Sequence, residues 1–532
     1  MTTAYTKTLE ALRTISSQAL QFNRGIERES LRVDAQGNLS QAPHPSFLGS
    51  KLSHPTITTD FSEAQLELIT PVSQSVDETL STLVDIHRFV YTGLKDEILW
   101  SASMPCVLQG DTNVPLAYYG SSNLGKLKTT YRNGLGNRYG RSMQTICAVH
   151  YNFSFSTELW RELARIEQAT NNSDYRTKRY FDVMRNFRRF SWLAVYLTGA
   201  SPAICNSFVR GQAHNLDQFD EGSLYRPGAT SLRNGDLGYQ SDTQSELMNI
   251  CYNSLDNYVM NIARAVTTLF EPYVDIGTCR DGEYLQVNDS ILQSEAEFYT
   301  TIRAKRVPAR GANFLQTLLD EGVEYIEVRL LDVNPYHPLG IDEETIRFLD
   351  TFLLYCLLID SPNHDDKLCQ SVQANVDEIV RKGRDVTAQL NDQGTQRSVS
   401  EWGEEILADL LPLASLLDAA DGSQNEGEGV HQQSIRSQQK KLNNPHLTPS
   451  GQIMDDMKSE SIPFFRFAMN KALAHKNHFQ EQPLSVAELA YFNDLAATST
   501  ADQHQLEQSR EENFDTYLQK IQQQYRDIVG PG

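Results

Sequence analysis

A chain of 532 residues, 40% hydrophobic and 22% charged, has ample material for a large core, whether split into about three domains or built on one extended sheet. Lys+Arg 47 against Asp+Glu 68 gives a formal charge of −21, which argues against nucleic acid or an anionic membrane as partner. Seven cysteines (106, 147, 205, 251, 279, 356, 369) form no C-x-x-C pair and are odd in number, so free thiols in a reducing compartment fit better than disulfides or a zinc site.

Residues 1–23 carry Leu9, Leu12, Ile15 and Leu20 among polar side chains, which predicts a short amphipathic helix without the apolar core of a signal peptide. Next, Arg24–Val33 predicts a strand, since a glycine opens it and aliphatic residues recur. With a period of two, Glu27 and Glu29 leave one face and Arg28, Ser30 and Arg32 the other. Neighbouring carboxylates repel unless a cation sits between them, and a divalent metal is the usual answer. A lone Glu-x-Glu is more often a solvated strand face, so the neighbouring motifs decide.

Thr58–Pro71 adds Asp60, Glu63 and Glu67. Ser62 with Gln65 spells a capping box, yet Gln65–Thr70 also reads as a strand, and both periods put Glu63 and Glu67 on one face. After Pro71, the spacing of Val76, Leu80, Leu83, Val84 and Val90 predicts a helix. Gly120–Leu127 misses a Walker A loop only at its last position, where Leu127 replaces the hydroxyl that would hold Mg²⁺. Pro115 also spoils the strand such a loop should follow.

Thr145–Phe155 predicts a strand with His150, Asn152 and Ser154 opposite Val149, Tyr151 and Phe153. A helix is predicted near Tyr175–Leu197, whose Arg176, Lys178, Arg179, Arg185, Arg188 and Arg189 read as a solvated outer face. Strands are expected again at Glu283–Asn288 and at Glu324–Leu331, the latter with Tyr325, Glu327 and Arg329 opposite Ile326 and Val328. A helix from Asp342 follows; its greasiest run, Phe348–Ile359, contains Asp350 and is too short to span a bilayer. Beyond about 370, helices with polar connectors are expected, Asp421–Gly451 reads as a flexible insertion, and the tail from Ser485 as a polar helix.

Strand after strand thus pairs a face of acids and cations with an apolar face, which predicts a sheet with helices on one side and chemistry on the other. Oxygen ligands with one imidazole suit Mg²⁺ or Mn²⁺ rather than zinc, and several acids suggest more than one ion. Lys128, Arg132, Arg233 and Arg303-Ala304-Lys305-Arg306 offer cations to phosphates. Moving a phosphoryl group from ATP to a carboxylate needs both kinds of charge.

Gly25–Val33, Thr58–Pro71, Ser103–Cys106, Tyr131-Arg132, Met143–Ser154, Gly199–Ala203, Ala229–Arg233 with Leu237-Gly238-Tyr239, and Tyr325–Pro335 resemble, in order across residues 20–360, the proteobacterial glutamate–cysteine ligase family. The resemblance implies an α+β fold of glutamine-synthetase-like type, with a curved antiparallel β-sheet lining the site and helices packed outside. Residues 1–400 would form the catalytic domain and 401–532 a mostly helical extension, with the flexible segment near 421–451. It implies Mg²⁺ (or Mn²⁺) on Glu27, Glu29, Asp60, Glu67, His150 and Glu327. Asn152 and Arg233, with backbone around Ile146–Ala148, would hold L-glutamate. L-cysteine would sit among Phe61, Tyr131, Leu135, Gln144, Tyr239 and Tyr299. Arg132, Lys305 and Arg329 would face ATP, with Arg132, Arg233 and Arg329 as the catalytic cations.

The implied reaction is ATP-dependent ligation of the glutamate γ-carboxylate to the cysteine amine through γ-glutamyl phosphate, the first step of glutathione biosynthesis. A cytoplasmic monomer with no nucleic-acid or membrane partner and no cysteine nucleophile is expected. Cys147-Ala148 departs from the pattern, where smaller residues such as Ser-Gly belong. Rival readings are a related ligase taking another amine, a two-metal hydrolase, and a non-enzymatic amino-acid or nucleotide sensor.

Overall fold

Strand β1 (Phe22–Val33) is the spine of a seven-stranded sheet in the computed structural model, which describes residues 3–105, 107–238, 244, 247, 248, 250, 252–309, 311–423 and 427–530. The others are β2 (Ile57–Thr59), β3 (Gln65–Ile69), β4 (Ile98–Leu99), β5 (Ala148–Phe155), β6 (Ile302–Lys305) and β7 (Tyr325–Asp332). They run in the order β6-β7-β5-β1-β3-β2, with β4 pairing the end of β1. Every pairing is antiparallel. The protein is therefore a mixed α/β structure on an antiparallel sheet.

Two local expectations change. Ser62 does not open a helix: the Ala64 N–H donates to Ser62 Oγ and the Gln65 N–H to Ser62 O, so a tight turn feeds β3. That turn breaks the period and sends Glu63 away from Glu67, to pair with Lys51 and accept the His44 and Tyr118 N–H groups. In Glu283–Asn288 only Glu283–Tyr284 pair as a strand. The buried Gln286 and Asn288 amides instead donate to the carbonyls of Tyr273, in the short helix Glu271–Ile276, and of Gln293.

Eleven helices carry the argument: α1 (Thr3–Leu12), α2 (Val76–Gly93), α3 (Asn123–Tyr139), α4 (Ser173–Thr198), α5 (Leu255–Thr267), α6 (Glu343–Leu358), α7 (Val399–Asp421), α8 (Val430–Asn443), α9 (Phe464–Glu481), α10 (Val486–Gln508) and α11 (Phe514–Val529). Helix α2 starts where Ser75 caps the Glu78 N–H, and α6 where Asp342 caps Thr345. The apolar sheet face meets α6 through one buried ionic contact. Arg24 Nε and Nη2 lie 2.9 and 2.6 Å from Asp350 Oδ2, and the Tyr151 hydroxyl donates to Oδ1 at 2.5 Å. Asp350, the lone acid of the greasy run, is fully buried as the counter-ion of a strand arginine.

Helix α4 does not present a solvated basic face. Arg185 is buried and binds Asp182, the Tyr252 carbonyl and Ser361, while Arg179 reaches Asp182 and the Leu357 carbonyl. These guanidinium groups satisfy carbonyls of surrounding segments, a role invisible in the helix's own spacing. The polar stretch 421–451 also differs from expectation. Its α8 is packed, with Ser434 and Gln438 bonded to Glu344 on α6, and Asp418 accepting the His431 and Gln432 N–H groups at its start.

The chain beyond 400 is stitched to the rest by aromatic contacts. Phe479 on α9 stacks on His87 at 4.9 Å, Phe492 on α10 stacks on Phe89 at 5.1 Å, and Phe514 on α11 meets Tyr284 edge-on at 4.8 Å. Among the described residues no helix is long and apolar enough to cross a membrane. Cys147, Cys205, Cys279, Cys356 and Cys369 are free thiols, whereas Cys106 and Cys251 lie outside the described residues.

Asp350→Ala leaves the Arg24 guanidinium buried without its counter-ion, and urea unfolding should show a loss of about 3–5 kcal/mol. A loss below about 1 kcal/mol, the range of exposed pairs, would show that water replaces the pair.

Candidate active site

Register, more than sequence, assembles the acidic face. Cross-strand partners share a face, and Glu29 stands opposite Glu67, Glu27 opposite His150, and Glu327 opposite Asn152. Glu27 Oε2 lies 3.1 Å from His150 Nδ1, and Glu27 Oε1 accepts from Asn152 Nδ2 at 2.8 Å. His150 Nε2 lies 3.5 Å from Glu29 Oε1, and its Nδ1 is 3.8 Å from Glu327 Oε1. Two groups result, Glu27–His150–Glu327 and Glu29–Glu67–His150, each with its candidate ligand atoms within 4.8 Å of one another. His150 is common to both. Asp60 belongs to neither group, but its charge acts on both Glu29 and Glu67.

The electrostatics are those of a site short of positive charge. Burial and then the neighbouring Asp60 push the Glu29 carboxyl well above its usual range. Burial and then Glu27 do the same to Glu67. Burial followed by Arg329 lowers His150, which keeps the imidazole neutral and able to ligate. Burial also works against an ionised Glu327, but Arg329 and Lys305 outweigh it and hold that carboxyl well below its usual range. Glu327 Oε2 and His150 Nε2 are buried and accept no hydrogen bond. Opposed carboxylates, orphaned acceptors and a neutral imidazole are a donor set that fits a hard divalent cation.

Cations ring this cluster. Arg329 Nη1 is 3.0 Å from Glu327 Oε1 and Lys305 Nζ 3.6 Å from Oε2. Arg132 donates to the Asp60 and Thr59 carbonyls. Arg233 donates to the Arg329 carbonyl at 2.7 Å and lies 3.6 Å from Asp332. Asp332 was not singled out in the sequence. It is fully buried at the end of β7 and accepts from the Ala200 N–H and from Ser201 and Ser231 hydroxyls, so it binds two distant loops and Arg233 together. A carboxylate closing an otherwise apolar strand end was the available signal.

The remaining candidates divide. Tyr131 and Leu135 lie on α3, where Phe61 approaches Gly136, and Gln144 Nε2 reaches the Tyr299 hydroxyl at 3.3 Å. Tyr239 lies outside the described residues. The Ile146 carbonyl accepts the Gln65 amide and the Ala148 N–H donates to Glu29 at 2.8 Å, so both backbone groups are engaged within the protein. Asn152 Oδ1 is buried and accepts nothing.

The near-Walker segment is filled from within. At the start of α3 the Ser121 N–H donates to Glu507 and the Asn123 N–H to Glu511, at 2.9 and 2.6 Å. A helix N-terminus attracts anions, and here Glu507 at the end of α10 and Glu511 in the connector to α11 supply them. Gly120, at φ +95°, lets Glu507 approach where any Cβ would collide. Two cavities of about 360 and 370 Å³, one beside Asp421 and His431 and one beside Asp34 and Gln109, contain none of the acidic cluster. The Asp418–Asp421–His431 group at the first is explained by capping of α8.

Comparison with known proteins places this geometry. The sequence pattern of the glutamate–cysteine ligase family matches residues 9–379. A glutamate–cysteine ligase of Pseudomonas fluorescens Pf-5 is 46% identical over 495 residues, covering 93% of this chain and 92% of that protein. One from Alcanivorax borkumensis is 46% identical over 504 residues, covering 93% and 95%. Among solved structures, glutamate–cysteine ligase of Francisella tularensis in complex with AMP superimposes with a TM-score of 0.88 at 32% identity, covering 96% of this chain and 99% of that one.

Glu67→Gln should raise the melting temperature of the metal-free protein at neutral pH and shrink the rise caused by Mg²⁺. The folded-state pKa values of Glu29 and Glu67 are raised, so their effect is least harmful below the ordinary value of about 4.3. Metal-free wild type should therefore lose stability as pH rises above that value. Thermal melts in EDTA and in Mg²⁺ across this range read both effects. A Glu67→Gln protein less stable than wild type in EDTA would contradict the repulsion.

Proposed function

Because the chain belongs to the glutamate–cysteine ligase family and is a ligase, we propose that it joins the γ-carboxylate of L-glutamate to the amine of L-cysteine at the expense of ATP. The observation that carries the reading is the acidic cluster of Glu27, Glu29, Glu67, His150 and Glu327 ringed by Arg132, Lys305 and Arg329. Such a face brings ATP and a second anion together, which a simple metal hydrolase does not require. AMP in the Francisella relative supports nucleotide use here. Acids on one sheet face and helices on the other support the glutamine-synthetase-like architecture, and the free thiols support a reducing cytoplasm.

Glu27, His150 and Glu327 would hold one Mg²⁺, and Glu29, Glu67 and His150 with Asp60 nearby would hold further charge. Bound Mg²⁺ supplies neutralisation of the phosphate oxygens and of the incoming carboxylate. The unpartnered Asn152 Oδ1 would accept from the glutamate ammonium, and Arg233 would meet its α-carboxylate. In the first step the bond between the γ-phosphorus and its bridging oxygen breaks, the electron pair leaves with ADP, and a γ-carboxylate oxygen takes the phosphoryl group. In the second, the cysteine nitrogen attacks the acyl carbon, the C–O bond to phosphate breaks, and the nitrogen loses its proton. Arg132, Lys305 and Arg329 offset charge on the transferred group, and the pocket of Phe61, Tyr131, Leu135, Gln144 and Tyr299 selects cysteine. No protein thiol enters either step.

ADP release should require glutamate, cysteine and Mg²⁺ together, with cysteine preferred over other amines. Glu27→Gln should lower kcat by about a hundredfold or more, as loss of a group that stabilises transition-state charge does. ADP release indifferent to cysteine, or untouched by this substitution, would overturn the reading.

A further inference from the structure

Helix α3 brings a cation to the site that the family resemblance did not assign. Lys128 and Arg132 are four residues apart and so share a face of α3, with the Arg132 guanidinium donating to the Lys128 carbonyl at 3.1 Å. Both heads gather on the Tyr119 ring, Arg132 at 4.5 Å and Lys128 at 5.5 Å from its centroid. That ring is fixed by its hydroxyl, which donates to the Thr59 carbonyl beside Asp60. Lys128 therefore lies at the Asp60–Glu67 end of the acidic face, and Glu67 is the acid whose field acts on it.

What separates Lys128 from the other cations is its lack of an acceptor. Arg329 and Lys305 meet Glu327, Arg132 meets the Asp60 carbonyl, and Lys51, also near Tyr119, is paired with Glu63. Among the described residues the Lys128 ammonium has neither a hydrogen-bond acceptor nor an ion-pair partner, only the ring face. Burial, and then Arg132, lower its pKa to about 8, the behaviour of a half-buried ammonium beside a second cation. Two adjacent cations, one of them without a protein acceptor among the described residues, suit a ligand with more than one negative oxygen.

We propose that Lys128 is a further catalytic cation, whose ammonium binds oxygens of the phosphoryl group during its transfer, alongside Arg132. This rests on the ligase reading and deepens it. Lys128 stays protonated throughout: the phosphorus exchanges its bond to the ADP oxygen for one to the γ-carboxylate, and no proton moves to or from the amine of Lys128. Its contribution is greatest as negative charge spreads over the equatorial oxygens.

The test is steady-state kinetics of Lys128→Met and Lys128→Arg, with melting curves to establish folding. Lys128→Met should lower kcat by about a hundredfold, with KM for cysteine within about threefold of wild type. In a single turnover without cysteine, with enzyme in excess over ATP, glutamate-dependent formation of enzyme-bound ADP should slow by a similar factor, since the phosphoryl step is the one affected. Lys128→Arg keeps the charge but alters the geometry with its planar fork, and should retain about a tenth to a third of wild-type kcat. If Lys128 merely offsets Glu67, Lys128→Met changes the Mg²⁺ requirement or the melting temperature and leaves kcat within about threefold, which overturns the assignment. Loss of the complete reaction with that single-turnover ADP formation intact overturns it as well. Should Lys128→Met not fold, Lys128→Arg decides, because kcat equal to wild type after so large a change in head-group geometry excludes phosphoryl contact. A wild type that releases no ADP overturns the ligase reading itself, a result distinct from an active wild type beside an unimpaired variant.

Discussion

Glu29, buried, and Glu67, half-buried, face each other across two antiparallel strands, with Asp60 and Glu27 adding to the same field. Like charges directly opposite in a sheet oppose pairing, so the ladder that holds them must be secured elsewhere. Much of that security lies on the reverse face of the same strands. Arg24 and Tyr151, which alternate with the acidic positions, grip Asp350 inside α6 and tie the sheet to its helical layer. A slip of one residue would exchange the two faces, driving Glu27 and Glu29 into the helices and Arg28 into the site. The mixed chemistry of β1 therefore makes one register far better than its neighbours.

Much of this was readable in the sequence because strand parity is local. Glu27 with Glu29, His150 with Asn152, and Glu327 with Arg329 could be assigned to faces without knowing which strands pair. What parity cannot supply is the partner. Glu63 seemed to accompany Glu67 by spacing, but a turn at Ser62–Gln65 sends it to Lys51. The arginines of α4 resembled a wet face because their acceptors, carbonyls of Leu357, Tyr252 and Ser361, come from distant chain. Asp332 escaped notice for the same reason: its partners Ala200, Ser201 and Ser231 lie more than a hundred residues upstream. Polar composition likewise disguised α8, whose serine and glutamine side chains are bonded to Glu344.

Helix α3 shows how the later part of the chain bears on the site. Its N-terminus is held by Glu507 and Glu511, and its middle turns present Lys128, Tyr131 and Arg132 to the acidic sheet. Under the proposed assignment, the segment that imitates a phosphate loop would serve phosphate chemistry by another route. Its backbone N–H groups are occupied by the protein's own carboxylates, and its side chains, two turns on, are what meet the site. A helix pinned at its start by charge keeps its cations in register with a sheet that would otherwise repel any approaching anion.

The departure at Cys147-Ala148 can be judged by the same parity. Cys147 alternates with His150's face: it is buried on the side of Val149 and Tyr151, with its thiol near the Gln65 amide and the Thr145 carbonyl. Ala148 shares the parity of His150 and Asn152, pairs with Asp332 on β7, and gives its N–H to Glu29. Of the two larger residues, then, only one methyl group faces the carboxylate side, while the thiol is absorbed by the core. Under the proposed reaction, space for glutamate would be narrowed at Ala148 alone. The Ala148 N–H is meanwhile held by Glu29, so any ligand using that N–H must first draw the carboxylate away. A cation placed between Glu29 and Glu67 would do so by the attraction that relieves their repulsion, and would thereby couple metal binding to the opening of the backbone donor.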